Sequence, residues 1–134
     1  MAVFPQPLIA VRNVRASSAW YQRLLACTSE TVRADGEHRS SDRLLSEGRV
    51  ILELRAQDAP IRNPMEAAQS SPDGVLPPGH GVVLRFLVSD FAAAVLRTRA
   101  LEVDIVADAF TTLDGTYNIM ICDPDGYLVV LSGR

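Results

Sequence analysis

Short apolar runs and amphipathic stretches alternate along the chain, and the same order occurs twice. Each unit begins with an apolar run that closes on Val, one polar residue and then Asn or Asp, and a stretch with helical spacing follows it. The runs and helical stretches cover residues 8–13, 14–25, 85–90 and 91–101. Asn13 and Asp90 occupy corresponding places in the two units. The difference between their residue numbers is here called the repeat offset. Both stand at N-cap positions, where a side-chain oxygen accepts free N–H groups of the first helical turn.

Three further runs with β-type composition follow each helical stretch. They cover residues 28–33, 42–46 and 49–55 in the first unit, and 103–107, 116–122 and 127–132 in the second. Tight turns are predicted between the last two runs of each unit, at Ser46-Glu47-Gly48-Arg49 and Asp123-Pro124-Asp125-Gly126. Each unit therefore predicts the order β-α-β-β-β.

Two such modules predict an α+β fold, in which repeated βαβββ modules form a cupped eight-stranded sheet with a central cleft. We expect a single domain over residues 1–134, with module one at 4–56, a linker rich in Pro and Gly at 57–80, and module two at 81–134. The helices then cover the convex side of the sheet, and the concave side forms the cleft.

Alternation along the strands separates two faces. One parity is almost wholly apolar and should pack against the helices: Ile9, Val11, Val50, Leu52, Leu54, Leu84, Phe86, Val88, Ile119, Ile121, Val129 and Leu131. The other parity mixes charged, polar and apolar groups, as ligand clefts do. It supplies the candidate ligand-binding residues Gln6, Leu8, Arg49, Glu53, Arg85, Asn118, Met120, Cys122 and Val130. Arg85 is expected to pair with Glu53 or with an anion, because a charge on such a face needs a partner.

Composition narrows the classes of function. The chain has 134 residues, of which 48% are hydrophobic, and a net charge of −3. Acidic balance argues against nucleic acid and anionic membranes as partners, and the absence of lysine excludes Schiff-base chemistry. Cys27 and Cys122 form no disulfide framework. With no signal peptide and no apolar run of membrane length, we expect a cytoplasmic location.

Three segments resemble the vicinal oxygen chelate superfamily, which includes glyoxalase I, bleomycin-resistance proteins and extradiol dioxygenases. They are residues 11–25, with Val-Arg-Asn and Ser-Ser-Ala-Trp-Tyr, the Val88-Ser89-Asp90 run, and Asp-Pro-Asp-Gly-Tyr-Leu at 123–128. Metal-using members place one ligand on the first and one on the last strand of each module. Carried over, these positions are Gln6, Glu53, Val83 and Val130.

Valine cannot bind a metal ion, so the resemblance implies a member whose metal site is degenerate and which holds no cofactor. His80, three residues before Val83, and His38 are expected on surface loops. The resemblance then implies a metal-independent protein that binds a small molecule, sequestering a drug or a metabolite, and that forms a homodimer. One alternative is a lyase, isomerase or dioxygenase with a non-standard metal site at Gln6, Glu53 and His80. Another is a regulatory module that binds a protein partner. The sequence leaves open whether any catalysis occurs.

Overall fold

Both βαβββ modules are present in the structure, a computed structural model that describes residues 1–33, 40–57 and 81–134. The elements are β1 (Leu8–Val11), α1 (Val14–Leu25), β2 (Thr28–Arg33), β3 (Ser40–Ser46), β4 (Arg49–Ala56), β5 (Val83–Leu87), α2 (Phe91–Ala100), β6 (Ile105–Thr111), β7 (Tyr117–Cys122) and β8 (Leu128–Gly133). From residue 58 onward the predicted linker lies outside the described residues. In the described part, no helix has the length and apolarity needed to cross a membrane.

The eight strands form two open four-stranded sheets. Sheet one has the order β1-β4-β3-β2, and sheet two has the order β5-β8-β7-β6. β1 pairs in parallel with β4, and β5 pairs in parallel with β8. The other strand pairs are antiparallel. The α+β architecture with two modules is confirmed. The strands are divided between two sheets, however, since no ladder joins the sheets within the described ranges.

The repeat offset of the sequence is preserved in the three-dimensional structure. Leu8 lies opposite Glu53 in sheet one, and at the same offset Arg85 lies opposite Val130 in sheet two. The N-caps, the helix starts and the first residues of the second and third strands of each module keep the same spacing. A residue of module one on these elements therefore has a structural counterpart in module two. The number of the counterpart is found by adding the repeat offset.

Both helices begin as the sequence predicts. The Oδ1 atom of Asn13 accepts a hydrogen bond from the Ala16 N–H at 3.0 Å. Asp90 does the same for the Ala93 N–H, also at 3.0 Å. Such caps satisfy donors that have no partner within the helix, and replacing one by alanine costs about 1 kcal/mol.

The apolar parity forms the core between the helices and the sheets. Buried members of the predicted set are Ile9, Val11, Leu52, Leu54, Leu84, Ile119, Ile121, Val129 and Leu131. Phe86 and Val88 are partly buried against them. Val50 does not join this cluster. The register shifts between Leu44 and Leu45, opposite Val50, and this irregularity interrupts the alternation that the sequence predicts.

A buried carboxylate joins the two modules. The Tyr21 hydroxyl on α1 donates a hydrogen bond of 2.6 Å to Oδ2 of Asp123 in the turn between β7 and β8. The Oδ1 atom of Asp123 accepts from the backbone N–H groups of Asp125 and Tyr127 at 2.9 and 2.8 Å. Asp123 therefore shapes its own turn and also holds the helix of the other module.

Further contacts reinforce this junction, which we call the module clasp (Arg12, Tyr21, Asp123, Asp125 and Tyr127). Arg12 pairs through Nε with Oδ1 of Asp125 at 3.0 Å. The Tyr127 hydroxyl donates to the Ala10 carbonyl oxygen at 2.8 Å. The turn after β7 thus packs against β1 and α1 of the same chain.

Burial sets the protonation behaviour of the clasp. Burial raises the pKa of the Asp123 carboxyl, while the Tyr21 hydroxyl and two backbone N–H groups oppose that rise. Burial also raises the pKa of the Tyr21 hydroxyl, and the neighbouring Asp123 raises it further. Tyr21 therefore stays a neutral donor at physiological pH.

Replacing Tyr21 by phenylalanine should destabilise the fold by about 1–3 kcal/mol, because Oδ2 of the buried Asp123 carboxylate loses the hydrogen bond from Tyr21. Urea unfolding measures the loss. Tyr117→Phe is the matched control, since Tyr117 is half exposed and should change the free energy of unfolding by less than about 0.5 kcal/mol. Equal losses in the two variants would contradict the clasp.

The loss in Tyr21→Phe should also depend on pH. The folded-state pKa of Asp123 is raised above its ordinary value of 3.8, so the folded chain holds this proton more tightly than the unfolded chain does. Asp123 therefore costs stability as the pH rises through that window. The hydrogen bond from Tyr21 favours the ionised carboxylate, so the penalty of removing it should shrink as the pH falls towards the pKa of Asp123. A penalty that grows on acidification would contradict this assignment.

Candidate functional site

The face of each sheet that points away from the core, here called the open face, carries most of the predicted site residues. Strand register places Leu8, Ala10, Ser41, Arg43, Glu53 and Arg55 on the open face of sheet one. On sheet two it places Val83, Arg85, Leu87, Asn118, Met120, Cys122, Leu128, Val130 and Ser132. The predicted division into two faces is therefore confirmed for these strands.

Glu53 occupies the centre of the open face of sheet one. Its Oε1 atom accepts a hydrogen bond from the Ser41 hydroxyl at 2.9 Å. The Nε atoms of Arg43 and Arg55 lie 4.0 and 3.9 Å from the same oxygen. The Glu53 side chain is 15% exposed. This carboxylate is thus a shared counterion for two guanidinium groups.

Arg85 is oriented by a chain of polar groups in sheet two. Its Nε donates to Oγ of Ser132 at 3.0 Å, and the Ser132 hydroxyl donates to Oδ1 of Asn118 at 2.6 Å. The Asn118 amide in turn donates to the Thr116 carbonyl oxygen at 3.1 Å. Ser132 and Asn118 are both buried. Two buried polar side chains therefore fix the base of a guanidinium that reaches the surface.

The expected ion pair between Arg85 and Glu53 is wrong. Glu53 pairs with the two arginines of its own sheet, and no ion pair joins it to Arg85 in the described part of the chain. The reason lies in the registers: Leu8 is the residue opposite Glu53, whereas Arg85 lies opposite Val130. The expectation that Arg85 meets an anion is not tested by these contacts.

Apolar groups surround Arg85 on the open face. Val130 is buried, and Met120 beside it is partly exposed. Val83 and Leu87 flank Arg85 along β5 and are 51% and 79% exposed. Apolar surface around one oriented cation suits a ligand that has both an apolar body and an anionic or polar group.

The remaining candidates take no part in the contacts described for Glu53 and Arg85. Gln6 is exposed and precedes β1. Arg49, at the start of β4, places its guanidinium 5.4 Å from the ring centre of Phe4. Cys122, at the end of β7, is partly exposed on the open face of sheet two. His38 and His80 lie outside the described residues.

Sequence reasoning missed Ser41 and Arg43 as site residues. Arg55, two residues after Glu53 on β4, lies on the same face and is also absent from the candidate set. Alternation in β3 would have put Ser41 and Arg43 on the face opposite Leu44. The repeat gives the same answer, since at the repeat offset Ser41 corresponds to Asn118 and Arg43 to Met120.

The four positions that metal-using relatives employ do not fit a metal ion here. Val83 and Val130 offer no donor atom, and Gln6 lies outside the strand. Glu53 has an oxygen that already faces a hydroxyl and two cations, which oppose a third cation. Within the described ranges, no three His, Cys, Asp or Glu residues are grouped to hold a metal.

Comparison with solved structures shows the same fold in proteins of low sequence identity. An integron cassette protein from V. cholerae gives a TM-score of 0.71 at 14% identity, covering 100% of this chain and 96% of that one. A glyoxalase/bleomycin resistance protein/dioxygenase family enzyme from Burkholderia phytofirmans gives 0.68 at 18% identity, covering 96% and 95%. Lactoylglutathione lyase from Agrobacterium tumefaciens gives 0.64 at 17% identity, covering 99% and 94%. A comparison with curated protein sequences gives no match.

A sequence profile of one family extends over nearly the whole chain. It matches residues 3–131, and so includes both modules and the clasp that joins them. The chain belongs to the Glyoxalase/Bleomycin resistance protein/Dioxygenase superfamily.

Proposed function

We propose that this chain is a metal-independent protein of the glyoxalase/bleomycin-resistance type, which binds a small molecule on its open faces. The observation that carries the proposal is the Arg85–Ser132–Asn118 chain, in which buried polar groups orient a surface cation among apolar neighbours. The ligand is then a small molecule with an apolar body and a polar or anionic group.

The two buried residues of this hydrogen-bonded series, Ser132 and Asn118, carry an energetic cost that packing of the core does not require. Ser132 and Asn118 take up positions on sheet two where an apolar side chain would avoid the cost of removing polar groups from water. Hydrogen-bonded to each other, they hold Arg85 in one orientation. A preoriented guanidinium loses less conformational entropy when it meets a ligand, which favours binding.

The chemistry of the donors supports the proposed metal independence. Two arginines surround Glu53, and valine occupies two of the family's four ligand positions. The alternative enzyme with a metal at Gln6, Glu53 and His80 has to bring a cation to a carboxylate that already faces two guanidinium groups. No contact in the described residues favours that arrangement.

Zinc, nickel and manganese should therefore bind weakly. We expect less than one tenth of an equivalent of any of them after dialysis of the purified protein against buffer with 10 µM metal, measured by plasma mass spectrometry. Prolonged treatment with EDTA should leave the midpoint of thermal unfolding unchanged. One equivalent of metal that is lost in Glu53→Gln would overturn the proposal and favour the enzyme.

Ligand binding can be followed at one methyl group. The chain has three methionines, and Met120 lies on the open face of sheet two. In protein labelled with ¹³C at the methionine methyls, titration with 2-naphthoate should shift the Met120 signal. Arg85→Gln should weaken the apparent affinity about tenfold, the loss of one charge-assisted contact. Arg99→Gln is the control, because Arg99 pairs with Asp108 on the surface.

A Met120 signal that does not move with 2-naphthoate, or with a panel of aromatic and aliphatic carboxylates and amides, would count against a ligand on sheet two. Equal affinity in the wild type and in Arg85→Gln would show that Arg85 does not contact the ligand. Unfolding curves for each variant separate lost binding from lost structure.

We further propose that the chain forms a homodimer. Support comes from β6, one of the two edge strands of sheet two, which exposes Ile105, Val106 and Phe110. An exposed apolar edge strand offers unpaired backbone groups to another strand, and proteins usually cover such edges.

Light scattering at micromolar concentration should give twice the chain mass of 14.6 kDa. Val106→Lys should shift the protein towards monomer, because it places a charge in the proposed contact. Leu96→Lys, the same type of change at a more exposed position on α2, should leave the dimer intact. A monomeric wild type rejects the proposal.

A further inference from the structure

We propose that the open face of sheet two binds a flat aromatic carboxylate that lies across its strands. The carboxylate group meets Arg85 at one end of the site, and the ring system reaches Phe110 on β6 at the other. The inference rests on the proposed function and deepens it, since it names the charge, the shape and the length of the ligand. It also adds Phe110 as a residue that selects for length.

Phe110 reaches the open face through a shift of strand register. Ala107 on β6 lies opposite Met120 on β7. In a regular antiparallel ladder, Ala109 would then be the partner of Asn118, and Phe110 would point to the other face. The observed partner of Asn118 is Phe110. Directly opposite residues share a face, so the shift places Phe110 on the open face, next to Asn118.

Module one shows that the fold does not require this shift. Its corresponding strands, β2 and β3, pair without a register shift along their length. The pair at Ala107 has the same register as its counterpart at Glu30, so the modules agree there and diverge at Phe110. Irregular pairing of this kind re-aims single side chains and is frequent beside functional sites. The shift therefore marks Phe110 as a residue of the site.

Arg85 supplies the charge of this face. Every other strand residue that the structure describes on the open face of sheet two is neutral. Arg85 is exposed, its Nε donates to the Ser132 hydroxyl, and no ion pair in the described part of the chain includes it. The other N–H groups of the guanidinium form a planar fork, which a carboxylate matches in both charge and geometry.

The spacing of the strands sets the length of the ligand. The hydrogen bond of 3.0 Å from Nε holds the Arg85 guanidinium beside Ser132 on β8. Phe110 lies two strands away, since β7 separates β8 from β6. Neighbouring strands are about 4.8 Å apart, so the two ends of the site are separated by about 10 Å. A two-ring acid such as 2-naphthoate can span this distance, whereas benzoate ends over β7.

The proposed dimer leaves this site accessible. A strand of a second copy that pairs with β6 would bond to its backbone N–H and C=O groups in the plane of the sheet. Side chains of a strand stand roughly perpendicular to that plane. The backbone edge of β6 can therefore meet the second copy while Phe110 meets the ligand.

The charge of the ligand is tested by exchanging a carboxylate for its neutral amide. In protein labelled with ¹³C at the methionine methyls, the Met120 signal gives the Kd of 2-naphthoate and of 2-naphthamide at pH 7. The wild type should bind the carboxylate about tenfold more tightly, and Arg85→Gln should lose this preference. Arg15→Gln, which removes an exposed charge on α1, should keep it. A wild type without the preference would overturn the inference.

The length of the ligand is tested with Phe110→Ala. This variant should bind 2-naphthoate about three- to tenfold more weakly, the value of one aromatic contact. Benzoate, which does not reach β6, should change by less than about twofold. Leu113→Ala shortens a fully exposed apolar side chain in the turn of the same hairpin and should change neither ligand. Phe110→Tyr keeps the ring and should retain the wild-type Kd for 2-naphthoate within about twofold.

The two ligands also separate a lost contact from a damaged fold. Equal losses for benzoate and 2-naphthoate in Phe110→Ala would contradict selection by length, as would an unchanged Kd for 2-naphthoate. In both cases a Met120 signal that responds to 2-naphthoate in the wild type leaves the proposed function standing. A Met120 signal that responds to neither acid and not to the amide would reject both proposals for sheet two.

Discussion

A carboxylate that is buried between two parts of a chain needs donors, and Asp123 finds them in both modules. Its own turn supplies two backbone N–H groups, and α1 of the other module supplies the Tyr21 hydroxyl at 2.6 Å. Breaking such an arrangement leaves an uncompensated buried charge, which is among the costliest defects in a fold. The hydrogen bond from Tyr21 to Asp123 therefore ties α1 of module one to the turn between β7 and β8 of module two.

Duplication gives one scaffold two different surfaces. The modules share their caps, their strand registers and a constant repeat offset. Their open faces diverge at corresponding positions: sheet one carries an ionic cluster around Glu53, and sheet two carries a polar chain that ends at Arg85. The helix-facing parity cannot diverge so freely, because it has to fill the core. The residues of the open faces do not have to fill the core, so we expect the functional residues to lie there.

Much of the fold follows from the sequence because its signals are local. Asn13 and Asp90 mark helix starts within a few residues, and alternation assigns each strand residue to a face. The contacts of the site are not local. Arg85 and Ser132 meet only because β5 pairs with β8 in one particular register, and Tyr21 meets Asp123 across most of the chain. Parity places Arg85 and Glu53 on open faces but does not tell which sheet partner each one meets, so their predicted ion pair failed.

The central claim is that the open faces of this chain hold a small molecule without a metal ion. A crystal structure from protein grown with both 2-naphthoate and zinc, with data at the zinc absorption edge, tests it in one experiment. We predict the carboxylate of 2-naphthoate within hydrogen-bond distance of Arg85, and no anomalous peak beside Glu53. A zinc peak at about 2.0–2.2 Å from the Glu53 carboxylate, or a surface around Arg85 that holds no ligand, would contradict the account.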